Sequence, residues 1–93
     1  MVTAVILLNV EREHIKAVGE QLAGMPEVSD VYSVAGKFDL VAVVRVGANE
    51  DLADLVTDRM VQLPGIFHSE TLIAFRAYSR RDLEAGFSLG PPK

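Results

Sequence analysis

The chain has 93 residues, 49 % of them hydrophobic and 24 % charged, with no cysteine and a formal net charge of -4. That length holds one domain, and the missing cysteines exclude a disulfide framework, a thiolate metal site and a nucleophilic thiol. Nine Lys and Arg against 13 Asp and Glu exclude the broad basic face that nucleic-acid phosphates require.

The longest apolar run, Val2 to Leu8, falls well short of the roughly 18 to 20 residues of a membrane-spanning helix. No basic residue precedes it, so it does not read as a secretory signal. The expected location is the cytoplasm. A chain of this size buries only about 60 to 65 % of its unfolded surface, so its own core is thin and help from a partner subunit is expected.

Val2 to Val10 is aliphatic and β-branched without clean alternation, the mark of a strand covered on both faces. From Glu11 the period changes. Ile15, Val18, Leu22 and Met25 recur at helical spacing with Glu13, Lys16, Glu20 and Gln21 between them, and Gly24 with Pro26 ends the helix. Glu27 to Ala35 alternates, with Val28, Asp30, Tyr32 and Val34 expected on one face and Ser29, Val31, Ser33 and Ala35 on the other. Gly36 to Asp39 reads as a turn and Leu40 to Val46 as a third strand, closing a hairpin.

Asn49 is the expected cap of a second helix, with Glu50 and Asp51 at the positive end of its dipole. Leu52, Leu55, Val56, Met60 and Leu63 line its buried side, and Pro64-Gly65 stops it. Ile66 to Tyr78 is extended again, with Phe67, Ser69, Thr71, Ile73, Phe75 and Ala77 on one side. Residues 1–78 thus form the domain, and 79–93, ending Gly-Pro-Pro-Lys, a tail.

The two halves repeat. A shift of 38 positions carries Val18 to Val56, Leu22 to Met60, Met25 to Leu63, Pro26 to Pro64 and Val28 to Ile66. A duplicated strand-helix-strand unit predicts an α+β, ferredoxin-like βαββαβ fold, with a four-stranded antiparallel sheet and both helices on one face.

The helices cover only that face, yet the first and third strands are aliphatic on both sides. In the first, Val5 and Leu7 face one way and Ala4, Ile6 and Leu8 the other; in the third, Leu40, Ala42 and Val44 face one way and Val41 and Val43 the other, so whichever face the helices leave open is apolar. An apolar patch of this kind marks an interaction surface, and a second copy related by a two-fold axis is the simplest cover, giving a homodimeric α/β barrel or sandwich. The tail, through Leu83, Phe87 and Leu89, is the competing cover. Arg45 interrupts an apolar strand, which predicts a buried or an interfacial ion pair, a carboxylate from another subunit being one candidate partner, and Arg76 is a second such position.

The helix exit Met25-Pro26-Glu27-Val28, the turn Val34-Ala35-Gly36-Lys37-Phe38-Asp39 and the second exit Leu63-Pro64-Gly65-Ile66 before Ser69-Glu70-Thr71 occur in a distinctive order. Together they resemble the effector-binding, or RAM, domain of the Lrp/AsnC transcription regulators, across nearly the whole chain. Regulators of that family carry an N-terminal helix-turn-helix domain, whereas here a strand follows Met1 directly, so the resemblance is to a stand-alone RAM domain with no DNA-reading half of its own. It implies dimers formed through the sheets, assembly into an octamer or decamer, and an amino-acid effector bound between dimers. It also implies possible co-assembly with full-length Lrp/AsnC regulators, with no direct nucleic-acid contact and no membrane.

The resemblance assigns Gly36, Lys37, Phe38 and Asp39 to the effector pocket, Val34 and Ala35 to its wall, and Ser69 and Thr71 to weaker contacts. An α-amino acid needs amide donors for its carboxylate and an acceptor for its ammonium. A glycine turn with φ > 0 can present successive N–H groups to an anion, and Asp39 can accept from the ammonium. The competing reading is that Gly36 serves only the hairpin and Asp39 satisfies nearby backbone N–H groups.

His14 and His68 sit on different elements without metal-ligand spacing, so no metal and no cofactor is expected, and His14 is placed on the solvent side of its helix. Glu50, Asp51, Asp54 and Asp58 form a solvated acidic helix face. The expected function is therefore a non-enzymatic sensor that binds a small amino acid. The alternatives are a dimeric α/β-barrel enzyme, a small monooxygenase or isomerase, which would need a convergent polar pocket, and a co-assembly partner of the full-length regulators.

Overall fold

The computed structural model describes residues 1–78; the expected tail, with Leu83, Phe87 and Leu89, lies outside the described residues. Strand β1 (Val2–Val10) is followed by a single 3-10 turn (Arg12–His14) and helix α1 (Ile15–Ala23). Strands β2 (Val28–Ser33) and β3 (Leu40–Val46) form the hairpin, α2 (Asn49–Asp54) begins the second helical segment, and β4 is Ile66–Ile73. The sheet order is β2-β3-β1-β4 and every pairing is antiparallel. This is the expected ferredoxin-like arrangement.

The core lies between sheet and helices. Ala4, Ile6, Leu8 and Val10 of β1 and Leu40, Ala42, Val44 and Val46 of β3 are buried against Val18, Leu22, Leu52, Leu55 and Met60. Each fully buried aliphatic side chain contributes roughly 1.5 to 3 kcal/mol of transfer free energy. The intervening residues Val5, Leu7, Val41 and Val43 remain half-buried on the open face.

The repeat has a structural counterpart in how the halves close on each other. The Glu27 carbonyl, at the first helix exit, accepts from the Arg45 N–H at 2.9 Å, and the Gly65 carbonyl, at the second, accepts from the Glu11 N–H at 2.8 Å. Each half's exit is thereby tied to the end of the other half's first strand.

Several local expectations are corrected. The second helix is capped by Ala48, whose carbonyl accepts from Asp51 and Leu52; Asn49 is already helical and makes no cap bond. After Asp54 the helix widens into one π turn (Leu55–Arg59) and tightens into a 3-10 turn (Met60–Gln62), a change of pitch that apolar periodicity does not report. β4 ends at Ile73 rather than Tyr78. In β2 a register shift between Val28 and Asp30 breaks the alternation. Val28, opposite Val44, therefore joins Val31, opposite Ala42, on the helix side, while Asp30 and Tyr32 face outward. A bulge inserts one unpaired residue and flips the faces that follow.

His14 is also not simply on the solvent side. It is half-buried against Gly65, where an added Cβ would sit 2.5 Å from the His14 Cβ. Gly65 has φ +100, so both backbone conformation and space require glycine there.

Candidate functional site

The loop joining β2 and β3 folds across the end of β1 toward β4. Its neck is closed by the Val34 N–H donating to the Asp39 carbonyl at 3.0 Å, and the Asp39 N–H donates to the Leu8 carbonyl at 2.8 Å. One Asp39 carboxylate oxygen accepts the Val10 N–H at 2.8 Å. That amide lies where the β1–β4 register shifts between Asn9 and Val10, so Asp39 supplies an acceptor that the irregular ladder does not.

Gly36 adopts φ +125 with open space around it. Among the described residues, the N–H groups of Gly36, Lys37 and Phe38 donate to no backbone carbonyl, and the other Asp39 oxygen has no hydrogen-bond partner. Free amide donors and a carboxylate oxygen thus occur within four consecutive residues. The Lys37 carbonyl accepts from Asn9 Nδ2 at 2.7 Å, which orients the peptide between Lys37 and Phe38. The Phe38 ring stacks on His68, with centroids 6.3 Å apart and planes inclined by 15°.

The structure therefore brings together Gly36, Lys37, Phe38 and Asp39, with Val34 and Ala35 exposed on the approach to the turn. It adds Asn9 and His68, which sequence reasoning did not place there. Their proximity depends on the Asn9–His68 pairing across β1 and β4, a register that no local pattern encodes. Ser69 and Thr71 stand opposite Leu8 and Ile6 and so share the helix side of β4. Ser69 borders a hollow of about 320 Å³ with Val56, Met60, Val61, Ile66, Phe67 and His68, reaching the turn's vicinity only through His68. Thr71 is half-buried further along the strand.

Two other concavities lie elsewhere. A cleft of about 460 Å³ at the opposite end of the sheet is lined in part by Glu27, Arg45, Asp51, Asp54 and Arg59. There Arg59 and Glu27 form an ion pair at 2.6 Å, and that guanidinium holds the Glu27 carboxyl below its ordinary value. A groove of about 540 Å³ between α1 and the β2 side includes Ile15, Lys16, Gly19, Val31 and Leu40. Glu11, Glu13 and His14 present ligand-type atoms within 4.8 Å of one another. Both carboxylates are exposed, as acidic residues at a helix start commonly are.

A profile of the family described as the Lrp/AsnC ligand binding domain matches residues 3–83. An uncharacterized HTH-type transcriptional regulator of Pyrococcus horikoshii is 33 % identical over 60 residues, 64 % of this chain and 40 % of the relative. The HTH-type transcriptional regulator FL11 of the same organism is 29 % identical over 75 residues, 81 % of this chain and 49 % of the relative. The chain thus spans less than half the length of these curated relatives. Among solved structures, TTHA0845 of Thermus thermophilus superposes with a TM-score of 0.80 at 46 % identity, covering 86 % of this chain and 100 % of that one. Escherichia coli AsnC shares the fold, with a TM-score of 0.79 at 18 % identity over 86 % of this chain and 54 % of its own. With a match that runs from residue 3 to residue 83, the chain belongs to the Lrp/AsnC ligand binding domain family.

Proposed function

We propose that the protein is a non-enzymatic, cytoplasmic, self-associating module that binds a small amino acid at the turn spanning 34–39. The observation that carries this reading is the pairing, on one loop, of free N–H groups after Gly36 with the unpartnered oxygen of Asp39. Those groups match the carboxylate and ammonium of an α-amino acid. Val34 and Ala35 supply an apolar wall, and the Phe38–His68 stack bounds the other side. One fold neighbour, a Neisseria meningitidis transcriptional regulator, is described as a complex with L-Met, which supports an amino acid as the class of ligand. Ser69 and Thr71 are secondary contacts, reached only if a ligand extends past His68.

Self-association rests on the open sheet face. Val5, Leu7, Val41 and Val43 are bordered there by Tyr32 and Leu72, which are about half exposed at 53 % and 52 %. A second copy laid on this face removes the patch from water. Further association of dimers into an octamer or decamer would place the exposed turns at subunit boundaries. The curated relatives are named as transcriptional regulators, so ligand occupancy is read out through assembly, alone or with a full-length regulator, by differential affinity for two assembled states.

Native mass spectrometry with and without a pool of the common amino acids tests both halves of this reading. The expected spectrum contains dimers or larger even-numbered species, with a discrete added mass in the presence of the pool. A monomer at micromolar concentration removes the assembly claim, and an unchanged mass removes the ligand.

A further inference from the structure

The open face of the sheet carries a charge pattern as well as an apolar patch, and its strand registers set the pattern out as a grid. In the order β2, β3, β1, β4, one row reads Asp30, Val43, Val5 and Leu72, and the next reads Tyr32, Val41, Leu7 and Glu70. Arg45 stands beside Thr3 in the row beyond Val43, and Asn9 stands beside His68 at the other end. Arg45 is the one Lys or Arg of this grid, and Asp30 and Glu70 are the carboxylates of its two central rows. None of the three forms an ion pair within the described part of the chain, where the pairs are Glu11–His14 and Glu27–Arg59.

A two-fold axis that lays this face on a second copy lies in the plane between the two sheets. Run along the strands, it puts the partner's Glu70 on Tyr32; run across them, it puts the partner's Glu70 on Leu72. Both set a carboxylate on an apolar or aromatic side chain and leave it without a cation. A diagonal axis crosses the strands of the two sheets, as in orthogonal sheet packing, and exchanges distance along a strand for distance across it.

With strands about 4.8 Å apart and about 3.4 Å of rise per residue, Arg45 lies about 10 Å along and about 2 Å across from the middle of the patch. Glu70 lies about 3 Å along and about 7 Å across, in the opposite quadrant. One diagonal therefore brings Arg45 to within about 3 Å, in projection, of the partner's Glu70, with the sheets about 10 Å apart. Two long side chains span that gap. The same axis sets Val43 on Leu7 and brings Val5 and Val41 against their own copies. The other diagonal turns Arg45 toward the partner's Asp30 but lays Leu72 over the strand end at Asp39.

We propose that Arg45 pairs with the partner's Glu70, twice per dimer by symmetry, and that this pair fixes a crossed packing of the sheets and selects this chain as its own partner. It rests on the self-association reading above and adds the contact that makes the association specific.

Charge exchange tests it by sedimentation equilibrium, with circular dichroism confirming that each variant is folded. Arg45→Glu and Glu70→Arg are each expected to raise the dimer dissociation constant by about tenfold or more. Mixed in equal amounts, the two variants should form a heterodimer at the parent's concentration range, because both of its cross-contacts then join opposite charges. The double variant should dimerise alone. Single variants that associate like the parent, or a mixture that stays monomeric, overturn the pair while leaving a dimeric parent intact. Rescue of Arg45→Glu by Asp30→Arg instead also overturns it, in favour of the other diagonal. A parent that is monomeric throughout overturns the self-association reading itself.

Discussion

The Asp39 carboxylate accepts a hydrogen bond from the Val10 N–H at 2.8 Å, joining residues 29 apart in the chain. One oxygen is thus committed to the fold at the irregular point of the β1–β4 ladder, and the other has no hydrogen-bond partner among the described residues. Structure and proposed recognition share a single side chain. The two uses separate by substitution: Asp39→Ala removes both and is expected to cost about 1.5 to 3 kcal/mol, the range for a hydrogen bond to a charged group. Asp39→Asn keeps an acceptor for Val10 but loses the charge, so urea unfolding should show most of the stability restored. Calorimetric titration with amino acids should show both variants impaired; full binding by Asp39→Asn would remove the ammonium contact.

Gly65 packs against His14, and its carbonyl accepts from the Glu11 N–H. Gly65→Ala meets His14 at 2.5 Å and must hold φ +100, so a loss of about 2 kcal/mol or more is expected in thermal or urea unfolding. Combined with His14→Gly, the steric part should vanish and the conformational part remain. The two changes are therefore expected to be non-additive, and simple additivity would show that the contact does not limit the site.

Acid stability should report on the Glu27–Arg59 pair. The Arg59 guanidinium lowers the Glu27 pKa in the folded state, so the folded protein holds this proton less readily than the unfolded chain. The stabilisation is complete above the unfolded carboxyl value and is lost as pH falls through the folded one. Both side chains are partly exposed, and the contribution is expected to be at most about 1 kcal/mol. Arg59→Gln should flatten the acid limb of a stability-versus-pH curve measured below about pH 5, and an unchanged limb would contradict the assignment.

Leu22 and its repeat counterpart Met60 both sit in the core, with 0 % and 3 % exposure. Leu22→Ala should cost about 2 to 5 kcal/mol, as buried large-to-small changes do. Met60→Leu should cost under about 1.5 kcal/mol, because volume is kept and an unbranched chain is replaced by a comparable one. Denaturant midpoints at constant m-value would check both.

The element order, the antiparallel ferredoxin-like sheet, the limits of β1 and β3 and the glycine turn at Gly36 were all determined by the sequence alone. Each rests on signals local in the chain: period, β-branching, helix stops and an internal repeat. The tertiary structure decided the rest. The β2 bulge put Val28 and Val31 on the same face, because facing is set by pairing with β3. Met60 lies in a 3-10 turn after a π turn, because the end of the second helix adapts its pitch to the core. Asn9 and His68 joined the turn, and Ser69 and Thr71 fell on the helix side, because strand register is fixed by contacts between residues far apart in sequence. Sequence located the Gly36–Asp39 turn; only the fold determined which oxygen of Asp39 is taken by the Val10 N–H.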